Sequence, residues 1–328
     1  MVAVAIFLVF MGLLYPSISF LQARMSAIQD TEALTERGYR LLDYLSERIR
    51  MTGFLIGPNP SVTFCGTTAV NSLSHADSDP YDAITVLTAV PIETDAVNTP
   101  YLRVSAPAQR GDTSVIVNTT SVSTSFIDPN GASNAKALVT FDAMKPASPY
   151  GIHQWNGAVY TVSAFTRGRM VFADDPATAD VSENQLAQDI SSRSSVYAVR
   201  LNRFAVNTSR ELQEVGWNRS CGTGGETFSL EETSGPGNAF GGVDALQFEY
   251  VLSTDPGNFR SAITASELPY LRSVRISLLL RAGFPDRGYT NRESYQLGNL
   301  PPRVYNDPYK RLLLTRVVDV KNMGLWRP

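Results

Sequence analysis

Met1-Val2-Ala3-Val4-Ala5-Ile6-Phe7-Leu8-Val9-Phe10-Met11-Gly12-Leu13-Leu14-Tyr15-Pro16-Ser17-Ile18-Ser19-Phe20-Leu21 carries no charged side chain, and the first charge on the chain is Arg24. As a helix rising ~1.5 Å per residue, residues 1–21 span ~30 Å, about one bilayer hydrocarbon core. The run is apolar all round rather than along one stripe, the pattern of a helix enclosed by apolar surroundings. A cleavable signal peptide is the competing reading. It would need a basic n-region and a small-x-small site before a polar mature start, and neither is present. The stretch reads as a membrane anchor that presents the rest of the chain outside the cytoplasm.

Over residues 22–50 hydrophobicity drops but helical patterning continues. Met25, Ile28, Leu34, Leu41, Leu42, Leu45 and Ile49 recur mostly at spacings of three, four and seven, interleaved with charge. Glu36 and Arg40 stand at i,i+4 in the favourable order. The pattern stops at Met51-Thr52-Gly53, so one helix is expected over residues 1–53, membrane-spanning over 1–21 and amphipathic over 22–53. Pro16 removes one backbone hydrogen bond inside it and predicts a kink or a locally loosened turn.

The start Met-Val-Ala-Val-Ala-Ile, the proline late in the apolar run and the helix ending Leu45-Ser-Glu-Arg-Ile-Arg50-Met51-Thr52-Gly53-Phe54 resemble the type IV pilin and pseudopilin superfamily. Arg50-Met51-Thr52-Gly53-Phe54 is similar in particular to the helix ending of PilW-type minor pilins and the related J-type pseudopilins of type II secretion. Residues 242–250, 274–281 and 309–322 resemble the closing strands of that group. Members carry a basic leader, a cleavage glycine and Phe-Thr-Leu-Ile-Glu-Leu ahead of the Met-Val run; the expectation is that such a segment is encoded upstream of Met1. The resemblance implies a non-catalytic minor pilin that helps initiate type IV pilus assembly within a tip or priming complex. It would wait in the inner membrane with its globular domain in the periplasm and end in the extracellular pilus. Implied partners are the membrane, other minor pilins and the major pilin through the N-terminal helix, and the inner-membrane assembly platform, with a tip adhesin as an option. The helix-packing and membrane residues implied are Val4, Ile6, Phe7, Phe10, Leu13, Leu14, Pro16, Ile18 and Leu21. Two alternatives remain: a J-type pseudopilin capping a periplasmic secretion filament, and a membrane-anchored envelope enzyme or binding protein.

At 328 residues the chain has ample apolar sequence for a large core. Charged residues make up 18% and the net charge is -3, which gives no general attraction for nucleic acid. Two cysteines, Cys65 and Cys221, leave two arrangements open in an exported domain: one disulfide across a long loop, or two separate buried thiols. Two histidines, His75 and His153, cannot assemble a zinc cluster with usual spacing, and no cofactor is expected.

After Gly57-Pro58-Asn59-Pro60 short β-type runs alternate with turn residues. Strands are expected at 83–90, 102–106, 114–118, 137–141, 158–165, 169–173, 196–206, 243–252, 273–282 and 310–321, and short helices at 183–190 and 266–271. The fold class is α+β: a long N-terminal helix, then an antiparallel β-rich domain over 54–328, with a subdomain edge near 209–242 as an option.

Three stretches invite chemical readings. Asp77, Asp79 and Asp82 offer carboxylates at calcium-like spacing but lack the glycine and distal glutamate of a calcium loop, so a solvated turn is the stronger reading. Cys221-Gly-Thr-Gly-Gly225 lacks the Gly-Lys-Ser/Thr of a phosphate loop. Asn118, Asn207 and Asn218 head three-residue glycan acceptor patterns that arise often by chance. No nucleophile elbow or His-Glu-x-x-His is present, and nothing points to catalysis.

Overall fold

The structure is a computed structural model that describes residues 2–56, 71–92, 101–118, 137–142, 160–166, 169–172, 185–186, 189–217, 226–229, 242–286 and 288–320. Its first element, α1 (Val2–Arg50), is 49 residues long and runs through Pro16 without a break. Arg48 and Arg50 occupy its last turn, where positive charge opposes the negative end of the helix dipole. The helix ends in a tight turn at Gly53, whose φ of 72° suits a residue without Cβ, and whose N–H donates to Leu87 O at 3.1 Å. Leu55 also takes a positive φ, 61°, in the same turn, held by its burial beside Leu87, Ala89, Val199 and Leu201. No helix among the described residues is long and apolar enough to cross a membrane.

Among the described residues fifteen strands follow: β1 (Leu73–Ala76), β2 (Ala83–Pro91), β3 (Ser114–Ile116), β4 (Ala137–Phe141), β5 (Tyr160–Thr166), β6 (Arg169–Phe172), β7 (Val196–Val206), β8 (Leu212–Trp217), β9 (Glu226–Ser229), β10 (Val243–Leu252), β11 (Asp255–Arg260), β12 (Leu271–Arg281), β13 (Ser294–Tyr295), β14 (Arg303–Val304) and β15 (Arg311–Asp319). All pair antiparallel. The first nine build one sheet in the order β1-β2-β7-β4-β5-β6-β3, with β8 and β9 attached beside β7. One edge of β7 is taken by β2. The other is divided, β4 pairing with Val196–Ala198 and β8 with Leu201–Val206, so the sheet forks along a single strand.

The second sheet, β11-β10-β12-β15, is where α1 docks. Alternation along its strands sends one set of side chains to the helix and the other to the opposite face. Leu246, Phe248, Tyr250, Val274, Ile276, Leu278, Leu280 and Leu314 join Leu34, Leu41, Leu42, Leu45 and Ile49 of α1 in the main core, together with Ile84, Val86 and Phe204 of the first sheet. Ala245, Leu279 and Leu313 point the other way and are covered by Tyr295, Leu297 and Tyr305 around the two-stranded sheet of β13 and β14. Covered on both faces, β10 is buried along its whole length, including its polar residues Asp244, Gln247 and Glu249.

Two expectations for the middle of the chain are corrected. Residues 102–106 form no strand of their own; Arg103 and Val104 make isolated bridges to Ser195 and Val117. No helix forms among the described residues of 183–190: Leu186 N donates to Asp112 O and Ile190 N to Ala108 O, so the segment pairs with another loop instead. The short helix expected at 266–271 is present as a 3-10 helix over Ala265–Tyr270, with Pro269 inside it.

Candidate functional site

The distinctive surface is α1 itself, and the four-stranded sheet divides it into two unlike halves. From Leu34 onward the helix presents Leu34, Gly38, Leu41, Leu42, Leu45, Ser46 and Ile49 inward, one buried stripe at helical spacing. Gly38 sets the approach. A Cβ there would lie 2.9 Å from Leu280 Cδ1 and closer still to Leu314 Cδ1, so a bare Cα is what lets helix and sheet meet. Ser46, buried among apolar neighbours, returns its hydroxyl to Leu42 O.

Polar ties flank the stripe. Tyr44 Oη donates to the buried Glu214 carboxylate on β8, and Arg48 donates to Tyr44 Oη at 3.2 Å with its guanidinium 5.1 Å from the ring centroid. Burial raises the Tyr44 hydroxyl above the usual phenol range and the bond to Glu214 raises it further. Arg316 on β15 pairs with Asp43. These ties join the helix to both sheets at once. Glu36 and Arg40, 3.7 Å apart and both exposed, add little.

Before Leu34 the described side chains of α1 face solvent. Tyr15 is 77% exposed, Met25 63%, and Ile18 and Ile28 51% each. These are the large apolar side chains left uncovered on the first half of the helix among the described residues. Of the helix-packing residues expected from the sequence, Ile18 is the one whose side chain is described, and it is exposed. Val4, Ile6, Phe7, Phe10, Leu13, Leu14, Pro16 and Leu21 lie on α1, but their side chains fall outside the description. Cys65 and Cys221, the glycine-rich 221–225 run and His153 lie outside the described residues altogether. Sequence reading missed Gly38, Asp43, Tyr44 and Arg48. A glycine within an otherwise helical apolar stripe was the available signal for the first.

Of the carboxylates at Asp77, Asp79 and Asp82, Asp77 and Asp79 stand exposed in the solvated turn expected of them, and Asp82 departs from it. Asp82 is buried and accepts from Ser78 N at 3.0 Å, Gln247 Nε2 at 3.0 Å and Phe248 N at 2.9 Å. Its own N–H donates to Leu246 O at 2.9 Å, while Leu246 N donates to Pro80 O at 3.1 Å. The segment thus covers the edge of β10 that β11 leaves open, and Asp79 is held by Arg303 of β14. Burial raises the Asp82 carboxyl; the two backbone donors act against that. Among the described residues no group of three His, Cys, Asp or Glu side chains could hold a metal. Asn118 and Asn207 both spend their amides on local bonds, Asn118 with Arg103 N and Tyr101 O, Asn207 with the backbone and carboxylate of Glu211.

At the far corner of the same sheet Asp244 is enclosed by three arginines. Arg311 Nε reaches it at 2.6 Å while its two terminal nitrogens hold Asp307 at 2.6 and 2.7 Å; Arg210 binds at 2.8 Å and Arg281 stands 3.9 Å away. The Arg311 guanidinium also lies 3.7 Å from the Tyr305 ring centroid. Hydrogen bonding to Arg311 holds the Asp307 carboxyl below the usual range. The cluster locks β10, β12 and β15 to the loop that covers them.

Residues 225–322 match the family model of type IV pilus-assembly protein W (PilW). A solved type IV-like pilin from Thermus thermophilus aligns with 58% of this chain and 85% of its own at 14% identity, with a TM-score of 0.29. No curated protein sequence matches the chain. The matched stretch runs from β9 through β15 and contains the whole sheet on which α1 docks, so the likeness to PilW read in the closing strands holds for that part of the chain.

Proposed function

We propose that this protein is a minor pilin of the PilW type that helps initiate type IV pilus assembly as part of a tip or priming complex. Residues 1–21 anchor it in the inner membrane, residues 22–53 carry the amphipathic continuation, and residues 54–328 form the periplasmic domain. Assembly draws the helix from lipid into contact with the helices of other minor pilins and the major pilin, and the chain's work is packing rather than catalysis. The observation that carries this reading is the PilW match over residues 225–322. It gains support from α1, whose inner half is seated on that matched segment while Ile18, Met25 and Ile28 stay uncovered.

The test is complementation. Loss of the gene should reduce surface pili, and the wild-type chain should restore them. A chain carrying Met25→Glu and Ile28→Glu, both at exposed positions beyond residues 1–21, should fold with an unchanged melting temperature and fail to restore pili. Normal piliation without the gene refutes the priming role. Full rescue by the double variant refutes the helix surface as the assembling one, and co-purification with secretion-channel components alone would move the chain to the J-type pseudopilins.

A further inference from the structure

The Asp244 cluster carries more positive charge than its own carboxylates take up. Among the described residues, Arg210, Arg281 and Arg311 converge there on Asp244, and Asp307 is the second carboxylate of the group. Asp286 of the neighbouring loop is matched by Lys310 at 3.1 Å and leaves the balance unchanged. Three guanidinium groups against two carboxylates leave one positive charge over, and the contacts place it. Arg311, 1% exposed, gives Nε to Asp244 Oδ2 and both terminal nitrogens to Asp307. Arg210 gives Nη1 to Asp244 Oδ1 at 2.8 Å. Arg281 is left short: its Nε stops 3.9 Å from that same oxygen, beyond hydrogen-bonding range, and is buried with no acceptor among the described residues.

The two arginines nearest the surplus also reach the surface, with side chains 42% exposed at Arg210 and 23% at Arg281. Because both approach one oxygen of Asp244, a single further carboxylate can touch both. Their backbones are fixed in advance. Arg210 takes a φ of 66°, a left-handed conformation that residues with a Cβ rarely adopt. It is pinned there: its N–H donates to Asn207 O at 3.0 Å, its carbonyl accepts from Val243 N at 2.8 Å, and Gly242 packs so closely that a Cβ would lie 2.6 Å from Arg210 O. Arg281 closes β12, donates its backbone N–H to Gly242 O at 3.0 Å, and holds its guanidinium 4.6 Å from the Tyr309 ring centroid.

We propose that Arg210 and Arg281 form a receptor for one carboxylate supplied from outside the chain. A monoanion matches the single charge left over, whereas a doubly charged phosphate exceeds it. The exposed ends of the two guanidinium groups offer that carboxylate charge-assisted N–H bonds from adjacent directions. The proposal stands on the charge balance and contacts of this cluster and is independent of the pilin assignment.

Sodium acetate is the probe, titrated into the full detergent-solubilised chain against sodium chloride at matched ionic strength, with arginine Nε–H groups read by nitrogen-15 NMR. The Arg281 signal, identified by its absence from Arg281→Lys, should shift saturably with acetate at a midpoint of about 10–100 mM, the strength of one or two charge-assisted bonds. Arg210→Asn removes one guanidinium and frees Asp244 Oδ1 for Arg281, while asparagine tolerates the left-handed backbone; it should weaken the acetate response at least about fivefold. Inorganic phosphate should bind no tighter than acetate. An Arg281 signal that ignores acetate, or that moves as far with chloride, overturns the proposal, and this wild-type titration decides even if Arg210→Asn fails to fold. An unchanged midpoint in folded Arg210→Asn overturns it as well, and tighter binding of phosphate overturns the choice of a carboxylate.

Discussion

Replacing Gly38 by alanine sets two opposed effects against each other, and their sum reports on how closely α1 approaches the sheet. In a helix with free space beside it, Gly→Ala stabilises by about 1 kcal/mol because the glycine backbone loses more freedom on folding. Here the new methyl meets Leu280 Cδ1 at 2.9 Å and Leu314 Cδ1 closer still, against a normal carbon–carbon contact of about 3.5–4 Å. Both leucines are buried in the main core, Leu280 fully, so neither can swing into solvent. Displacing them within a packed interior costs about 1–3 kcal/mol. The expected net effect is destabilisation by about 1 kcal/mol, visible as a lower urea midpoint at unchanged slope in the detergent-solubilised chain. Gly38→Leu should cost at least about 3 kcal/mol, since its longer side chain has nowhere to go. Leu314→Ala in the Gly38→Ala background should relieve the clash, giving a coupling of about 1 kcal/mol in a double-mutant cycle. If Gly38→Ala raises stability by the full propensity gain and shows no coupling to position 314, the helix does not approach the sheet as described and the docking argument fails.

Gly242→Ala should be costlier than Gly38→Ala, because its methyl would sit 2.6 Å from the backbone oxygen of Arg210, which cannot rotate away; a loss of about 2–3 kcal/mol by urea unfolding is expected, with Gly288→Ala, in open space, near neutral. Arg311→Met should lose about 3–5 kcal/mol, since its side chain is 1% exposed and its removal leaves Asp244 buried and Asp307 unpaired; thermal unfolding measures it. His75 is held below its usual pKa, first by burial, with Asp77 acting against it. The folded chain therefore binds fewer protons than the unfolded one between the folded-state pKa and about 6.5, and stability from this group is lost as pH falls through that window. Urea midpoints at pH 8 and pH 5 should differ less in His75→Gln than in wild type. Asp82, held above its usual value, contributes with the opposite sign at lower pH and cancels from that comparison.

Much of the architecture could be read locally. The bounds of β4, β7 and β10 coincide with runs visible in the sequence, because each is rich in β-branched or aromatic residues and bounded by polar or turn residues. Strands β1, β8, β9, β11, β13 and β14 were missed. Asp255-Pro-Gly-Asn-Phe-Arg260 has the composition of a turn, and becomes a strand only because β10 offers it an edge. β8 carries Gln213, Glu214 and Gly216 and is recruited by the hairpin that returns from β7, where Asn207 binds Glu211 N at 2.9 Å. Residues 102–106 show the reverse: β-type composition without an adequate partner.

The sequence alone determined that a long helix opens the chain, that it stops before Gly53, and that antiparallel strands follow, because these depend on the period of apolar residues and on breakers close by. It also held the likeness to PilW in the closing strands. The tertiary structure decided which half of the helix is covered, that Gly38 sets its distance from the sheet, and that Asp82 is a buried tie rather than part of a solvated turn. It also decided that the described apolar residues between Ile92 and Ala198 gather into a cluster apart from the one under α1. Those outcomes rest on contacts between residues far apart along the chain, where Asp82 meets Phe248 and Tyr44 meets Glu214, and no local pattern encodes such meetings.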